Sequence, residues 1–319
     1  MNTYILNFII SLRLLLIVFL FKWNPTNPNL SHTKLIIGTH HKAGVFFVHQ
    51  YFDEFCKIHK VACNSRWDPL PEVISNFSNK EFEVYRSVQF LPEWVPMVES
   101  YFFVHFVRHP ITILRSAYEY HSDGHENFVS SPINFISKNN PLSCSECLDG
   151  DDFQHNPALQ SLEDKVRNIM LNVSSTTQKH SEILNHLSTD DGILFEACWE
   201  FCNIFTMLKV LNLSQSLADV LTLDLDWVML SPAAATMNFE NFLGMKVPPI
   251  SKYVGQQTQQ NQGDKEEKTR EWKKMRAHAS KLSREEKKKL QAKVLSIDTV
   301  RNVYTSMLSY FQIHRFTVI

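Results

Sequence analysis

Residues Phe102 to His121, FFVHFVRHPITILRSAYEYH, decide how this chain is read. Phe102 to Val107 is short, aromatic and β-branched, the composition of a parallel strand buried on both faces. The run breaks at Arg108-His109-Pro110. A helical pattern follows, for which Pro110 suits the first turn because its missing N–H would have no intrahelical partner there. Arg108 then stands at the C-terminal end of a strand beside the uncapped N–H groups of a helix. Guanidinium fork and helix dipole both favour a phosphate at such a place. Ser116 lies eight residues after the arginine on the same helix.

Working upstream, Lys34 to Thr39, KLIIGT, reads as a first strand. His40-His41-Lys42-Ala43-Gly44 is a small-residue turn, and apolar positions at Phe47, Tyr51, Phe55 and Ile58 mark the helix after it. This is a strand, a lysine-bearing loop and a helix. It is not the usual nucleoside-triphosphate loop, because no Gly-Lys-Ser/Thr follows Gly38 at the required spacing. The lysine precedes the glycine, which argues against a kinase or ATPase.

These two loops, in this order, resemble the sulfotransferase superfamily, whose members take a sulfuryl group from 3′-phosphoadenosine 5′-phosphosulfate (PAPS). In that family a Lys-Ser/Thr-Gly-Ser/Thr loop after the first strand cradles the 5′-phosphosulfate; Lys42-Ala43-Gly44-Val45, with Phe46 next, resembles it. An Arg-Asp/Asn-Pro element with a serine eight residues after the arginine holds the 3′-phosphate, and Arg108-His109-Pro110 with Ser116 resembles that. The Ser-x-Tyr-x-Tyr-His ending at His121 and the His-His-Lys start look most like the membrane-anchored branch and its algal or protist relatives. A third match is weaker: a strand in Asp219 to Trp227, then Ser231-Pro232, a helix and Phe242-Leu243-Gly244. The resemblance implies a P-loop-like α/β three-layer sandwich, a central parallel sheet flanked by helices. It also implies PAPS as donor substrate, no metal, and transfer to a hydroxyl or amine acceptor such as a glycan.

The departures from the family are specific. Ala43, Val45 and Phe46 stand where a hydroxyl usually contacts phosphate, and each missing neutral hydrogen bond is worth about 1 kcal/mol. His109 replaces Asp or Asn, which removes a turn-stabilising acceptor. By resemblance, Lys42 neutralises the leaving 5′-phosphate oxygen, and Lys268 and Arg270, just before Trp272, close over the 3′-phosphate. The acceptor also needs a general base. His121 is assigned that role, with His40, His41 and Glu119 as competitors. Two alternatives to a working sulfotransferase are a sulfotransferase-fold protein that binds nucleotide or glycan with little turnover, and a P-loop kinase-like phosphotransferase.

Composition agrees with one catalytic domain, 34–319, after attachments. The formal net charge of −1 argues against a nucleic-acid partner. Asp264 to Lys293 nevertheless holds 12 Lys/Arg against 6 Asp/Glu. Residues 256–293 therefore read as a Gln-rich loop followed by a basic helix. Residues 4–21 are almost wholly apolar around Arg13, long enough to span a bilayer, and no small-residue cleavage site follows. They are read as a signal anchor, with 1–3 cytoplasmic and 22–33 a stem. Sequons at Asn29, Asn76, Asn172 and Asn212 are compatible with a lumenal domain. Lys22 lies beyond the span, so the positive-inside rule does not itself place the C-terminus in the lumen. The family resemblance implies that orientation: a single-pass type II Golgi membrane protein.

Six cysteines complete the reading: Cys56 and Cys63, Cys144 and Cys147, Cys198 and Cys202. A lumen would permit disulfides whose pairing the sequence does not give. Cys144-Ser-Glu-Cys147 has zinc-ligand spacing, but no second pair follows at finger distance. Cys198 and Cys202 lie one helical turn apart in an apolar helix, as buried thiols do. Strands are expected at 34–39, 61–65, 83–88, 102–107 and 219–225. Helices are expected at 45–59, 93–100, 110–121, 160–187, 193–211, 232–243 and 265–293. Residues 122–158 read as a long insertion loop over the ligand face.

Overall fold

The computed structural model describes residues 34–65, 70–75, 82–124, 144–148, 150–173, 179–254 and 282–313. Its strands are β1 (Lys34–Gly38), β2 (Ala62–Ser65), β3 (Glu83–Ser87), β4 (Phe102–Val107) and β5 (Val220–Asp224). They form one five-stranded sheet in the order β2-β3-β1-β4-β5, and every pairing is parallel. Both faces are covered. On one side Leu35, Ile37, Val84, Val104, Phe106 and Leu223 meet α1 (Val45–His59) and the later helix at Pro232–Leu243. On the other side Ile36, Tyr85 and Phe103 meet a 3-10 turn at Pro92–Val98 and Val210 of a long helix. The protein is thus an α/β three-layer sandwich. The largely apolar runs of β1 and β4, Lys34 and His105 apart, suit strands buried on both faces.

The remaining helices follow the chain. They are α2 (Leu70–Ser75), α3 (Pro110–Ser122), α4 (Pro157–Leu171), α5 (His180–His186), α6 (Thr189–Trp199), α7 (Phe201–Ser214), α8 (Leu225–Leu230), α9 (Pro232–Leu243), α10 (Ser251–Val254), α11 (Arg284–Ser296) and α12 (Asp298–Tyr310). Helices α3 to α7, α11 and α12 share one large apolar core, which Ala43 and Val107 join to the sheet.

Several expected boundaries move, each for a local reason. The helix expected at 193–211 starts at Thr189, where Ser188 accepts the Asp191 N–H, and it breaks at Glu200 into α6 and α7. The one expected at 160–187 is two: Asn156 caps α4 through the Ala158 N–H, and α5 is separate. Pro92 and Pro96 leave the 93–100 segment as a 3-10 turn. The strand expected to run to residue 225 ends at Asp224, whose side chain caps α8. Of the basic helix, the described part is α11, which runs beyond the expected end at 293, and α12 was not foreseen.

The insertion expected at 122–158 is more structured than a loop. Ser122 closes α3, residues 152–155 form a 3-10 turn, and Cys144 and Cys147 are disulfide-bonded to Cys198 and Cys202. Residues 125–143 lie outside the described residues, as do 1–33 with the expected anchor and stem. Among the described residues no helix is long and apolar enough to cross a membrane.

One buried ion pair sets the β1–β3 register. Lys34 stands opposite Glu83, and Nζ lies 3.0 Å from Oε1. The strand order also creates a crevice. The chain leaves β1 toward β2 on one side and leaves β4 toward β5 on the other, while β1 and β4 are adjacent. In open parallel sheets such a switch point, at the strands' C-terminal ends, is where ligands sit. The loops after β1 and β4 are the two singled out in the sequence.

Candidate functional site

The loop after β1 is a tight turn. The Ala43 N–H donates to the His40 carbonyl at 2.9 Å. Lys42 and Gly44 both take positive φ, 58° and 98°. A Cβ on Gly44 would come within 3.0 Å of Leu225 Cδ1, a side-chain end able to shift, so it is the positive φ that calls for glycine here. A lysine in the left-handed region is costly, by about 1–3 kcal/mol, and such residues cluster at ligand clamps. The Lys42 ammonium lies 4.6 Å from the Tyr120 ring centroid, over its face. Helix α1 begins after Gly44 with no side-chain cap and no acid in its first turn, so the positive end of its dipole lies beside Lys42. Ala43 is fully buried in the helical core, and Phe46 is exposed. A hydroxyl at 43 would therefore face packing and not a ligand.

Arg108 bridges this loop to the rest of the crevice. Its Nη1 donates to the Lys42 carbonyl at 3.1 Å and its Nε to Asp226 Oδ1 at 3.0 Å. All three segments noticed in the sequence, after β1, β4 and β5, thus meet at one guanidinium. His109 does not leave its turn without an acceptor, as had been expected from the missing Asp or Asn. Its Nδ1 accepts the Ile111 N–H at 3.1 Å and caps α3. Burial lowers the pKa of His109, against a smaller opposing effect of Asp226. The ring therefore stays neutral and able to accept.

Ser116 is buried on α3. Beside it, Arg115 donates to Gln291 Oε1 at 2.9 Å. Its Nε is buried and has no hydrogen-bond partner among the described residues. Burial lowers the Arg115 pKa, and the neighbouring Arg108 lowers it further. Asp226 and Glu119 oppose that repulsion, and the buried Nε is a charged donor left over for an anion.

Behind the loop lies a histidine–carboxylate network carried by α3, α5, α6 and α7. His121 Nδ1 is 2.6 Å from Glu196 Oε1, and His180 Nε2 is 2.8 Å from Glu196 Oε2. His41 Nδ1 is 2.9 Å from Glu200 Oε1, and the His41 and His121 rings stack at 5.5 Å. Burial opposes ionisation of both carboxyls. The neighbouring histidines outweigh it, His121 and then His180 for Glu196 and His41 for Glu200, and hold both pKa values below the ordinary carboxylate range. The network is pinned by disulfides. Cys198 and Cys202, for which the sequence left buried thiols and disulfides both open, flank Glu200 and tie α6 and α7 to Cys144 and Cys147, which also removes the zinc alternative at Cys144 and Cys147. A third bridge joins Cys56 of α1 to Cys63 of β2.

Two of these sets, His41 with His121 and Glu200, and His121 with His180 and Glu196, bring ligand atoms within 4.8 Å of one another, close enough to share an ion. His121 itself is wholly buried. It touches Glu196 and His41, and His41 is part-exposed. His40 is buried too, with Nε2 2.9 Å from His105 Nε2. Lys268 and Arg270 lie outside the described residues.

Sequence reasoning placed Lys42, Arg108 and Ser116 around one crevice but missed Asp226, Arg115, His180, Glu196, Glu200 and Asn203. Glu196 and Glu200 did leave a signal. Two acids one turn apart inside ILFEACWEFC sit where only apolar residues belong unless they are paired. Comparison of the chain with protein-family models, curated proteins and solved structures gives no match.

Proposed function

We propose that this protein is a sulfotransferase that moves a sulfuryl group from PAPS to an acceptor hydroxyl or amine, with a glycan as the acceptor class. The observation that carries the reading is the Arg108-to-Lys42 hydrogen bond across the β1/β4 switch point. It fastens the loop that resembles a 5′-phosphosulfate cradle to the element that resembles a 3′-phosphate clamp. One nucleotide bearing anions at both ends suits that arrangement.

Transfer is in-line. Negative charge grows on the bridging oxygen as the sulfur–oxygen bond lengthens, so a cation at that oxygen stabilises the transition state more than the ground state. Lys42 supplies the cation from the tip of the turn, and the N-terminus of α1 adds its dipole. Arg108, Arg115 and Ser116 hold the far end. Asp226 fixes the Arg108 fork at 3.0 Å. The second loop residue is alanine because it packs in the core, so backbone N–H groups replace the usual hydroxyl.

Pairing of all six cysteines in three disulfides supports an oxidising compartment, in line with a lumenal domain on a Golgi membrane anchor. The test of the activity is transfer of radiolabelled sulfate from PAPS across glycan, lipid and alcohol acceptors. Wild type should transfer, and Lys42→Ala should lower the rate by at least about a hundredfold. Bisphosphate binding should fall less, because the other groups remain. An alanine variant at near wild-type rate would reduce Lys42 to a surface lysine.

A further inference from the structure

Four groups near the crevice have the chemistry of a general base: His40, His41, Glu119 and His121. Their surroundings separate them. His40 is buried, and burial alone lowers its pKa to about 3, too weak a base to accept a proton near neutrality. His121 has no exposed surface, and Glu119 is buried on α3. His41 keeps a quarter of its side chain accessible, 25% against 2% for its partner Glu200. It is also the residue immediately before Lys42.

His41 is held on every side that matters to its orientation. Asn203 Oδ1 accepts the His41 N–H at 3.2 Å, and Asn203 Nδ2 donates to the His41 carbonyl at 3.0 Å. The same Nδ2 donates to Glu200 Oε2 at 2.8 Å, while Glu200 Oε1 takes His41 Nδ1 at 2.9 Å. One asparagine thus fixes both the backbone of the histidine and the carboxylate that orients its ring. His121 stacks behind that ring, nearly parallel at 12°. With Nδ1–H given to the carboxylate, Nε2 is the basic nitrogen of the ring. A buried carboxylate in this position also stabilises the imidazolium that forms when Nε2 takes a proton.

We propose that His41 is the general base of the site, that Glu200 is its positioning residue, and that the acceptor is a hydroxyl that enters the site still protonated. The proposal rests on the sulfotransfer reading. In the step, the acceptor oxygen forms a bond to sulfur while the bond from sulfur to the bridging oxygen breaks. The released electron pair stays on the 5′-phosphate oxygen beside Lys42, and the hydroxyl proton passes to His41 Nε2. The oxidation state of sulfur does not change. His41 returns its proton to solvent after the sulfated product leaves.

The experiment follows transfer from radiolabelled PAPS to ethanol, 2-fluoroethanol and 2,2,2-trifluoroethanol, alcohols of similar size and rising acidity. Calorimetric titration with 3′-phosphoadenosine 5′-phosphate runs beside it. His41→Asn should lower transfer to ethanol about a hundredfold or more and to trifluoroethanol less than about tenfold, because a more acidic alcohol needs less help. Glu200→Gln should show the same ranking with smaller losses. Bisphosphate affinity should stay within about threefold of wild type in both. An equal loss across the three alcohols, or none, would make His41 a structural residue and overturn the proposal while leaving sulfotransfer intact. Loss of wild-type transfer on chelation would also overturn it, in favour of an ion held by His41, His121 and Glu200. A wild type that neither binds the bisphosphate nor transfers to any alcohol would remove the sulfotransfer reading and this proposal with it.

Discussion

His40 and His41 are neighbours in the chain and belong to different regions of the molecule. His40 turns toward the sheet and meets His105 of β4 in the buried interior. His41 turns toward the helical layer and meets Glu200, a carboxylate, at the rim of the crevice. The sheet side silences its histidine, since burial with no opposite charge disfavours the cation. The helical side spends two buried carboxylates on keeping its histidines oriented. The sheet side anchors the start of the β1 turn through His40, while Asn203 of the helical side and Arg108 hold its backbone at His41 and Lys42.

The contrast breaks most severely at Glu196, which partners His121 and His180 through its two oxygens. Glu196→Ala should destabilise the fold by about 3–5 kcal/mol, the scale for removing one member of a buried charged network. Glu196→Gln, which keeps an acceptor, should cost less. Urea denaturation of both reads the difference; equal and small costs would mean that the helical region does not depend on the carboxylate.

On the sheet side the prediction is acid sensitivity. His40 takes up a proton near pH 6.5 when unfolded but only near 3 when folded. Between those values the unfolded chain binds more protons, so stability is full above 6.5 and falls as pH is lowered. One such group contributes up to about 1.4 kcal/mol per pH unit. His109, also lowered by burial, acts in the same direction. His40→Gln should flatten the fall in urea stability between pH 6.5 and 5 by close to one proton's worth. Parallel profiles for variant and wild type would show that His40 is not held neutral.

The smallest effect belongs to the turn itself. Val45 lies in the first turn of α1, where the loop lacks a hydroxyl. Val45→Thr should tighten bisphosphate binding by about 1 kcal/mol at nearly constant volume. A weaker affinity in the stably folded variant would show that residue 45 does not face the phosphate.

Which parts of this were legible in the sequence follows from how local each signal is. Phe102 to Val107 and Pro110 define β4 and the start of α3 from neighbours alone. The turn at Lys42-Ala43-Gly44 was legible in the same way, but the positive φ of Lys42 was not. The α6–α7 break at Glu200 was not legible, because the apolar pattern runs through it. The break is where the chain turns to give Glu200 to His41, a contact across 159 residues. Asp226 was hidden for a related reason, since its partner Arg108 lies 118 residues away and nothing in DLDW signals a bridge. The acceptor role of His109 was misread because a histidine cap depends on a neutral ring, which burial supplies and sequence does not show.

The central claim is that the β1 and β4 loops, joined through Arg108 and Lys42, hold the two ends of one nucleotide. Calorimetric titration of wild type and Arg108→Ala with 3′-phosphoadenosine 5′-phosphate and with adenosine 5′-phosphosulfate tests it most directly. Wild type should bind the bisphosphate, and the variant should lose about 2–4 kcal/mol for it, because charge-assisted bonds to a largely desolvated anion are removed. The ligand without a 3′-phosphate should lose little. Equal losses for both ligands, or no binding of the bisphosphate to wild type, would contradict the account.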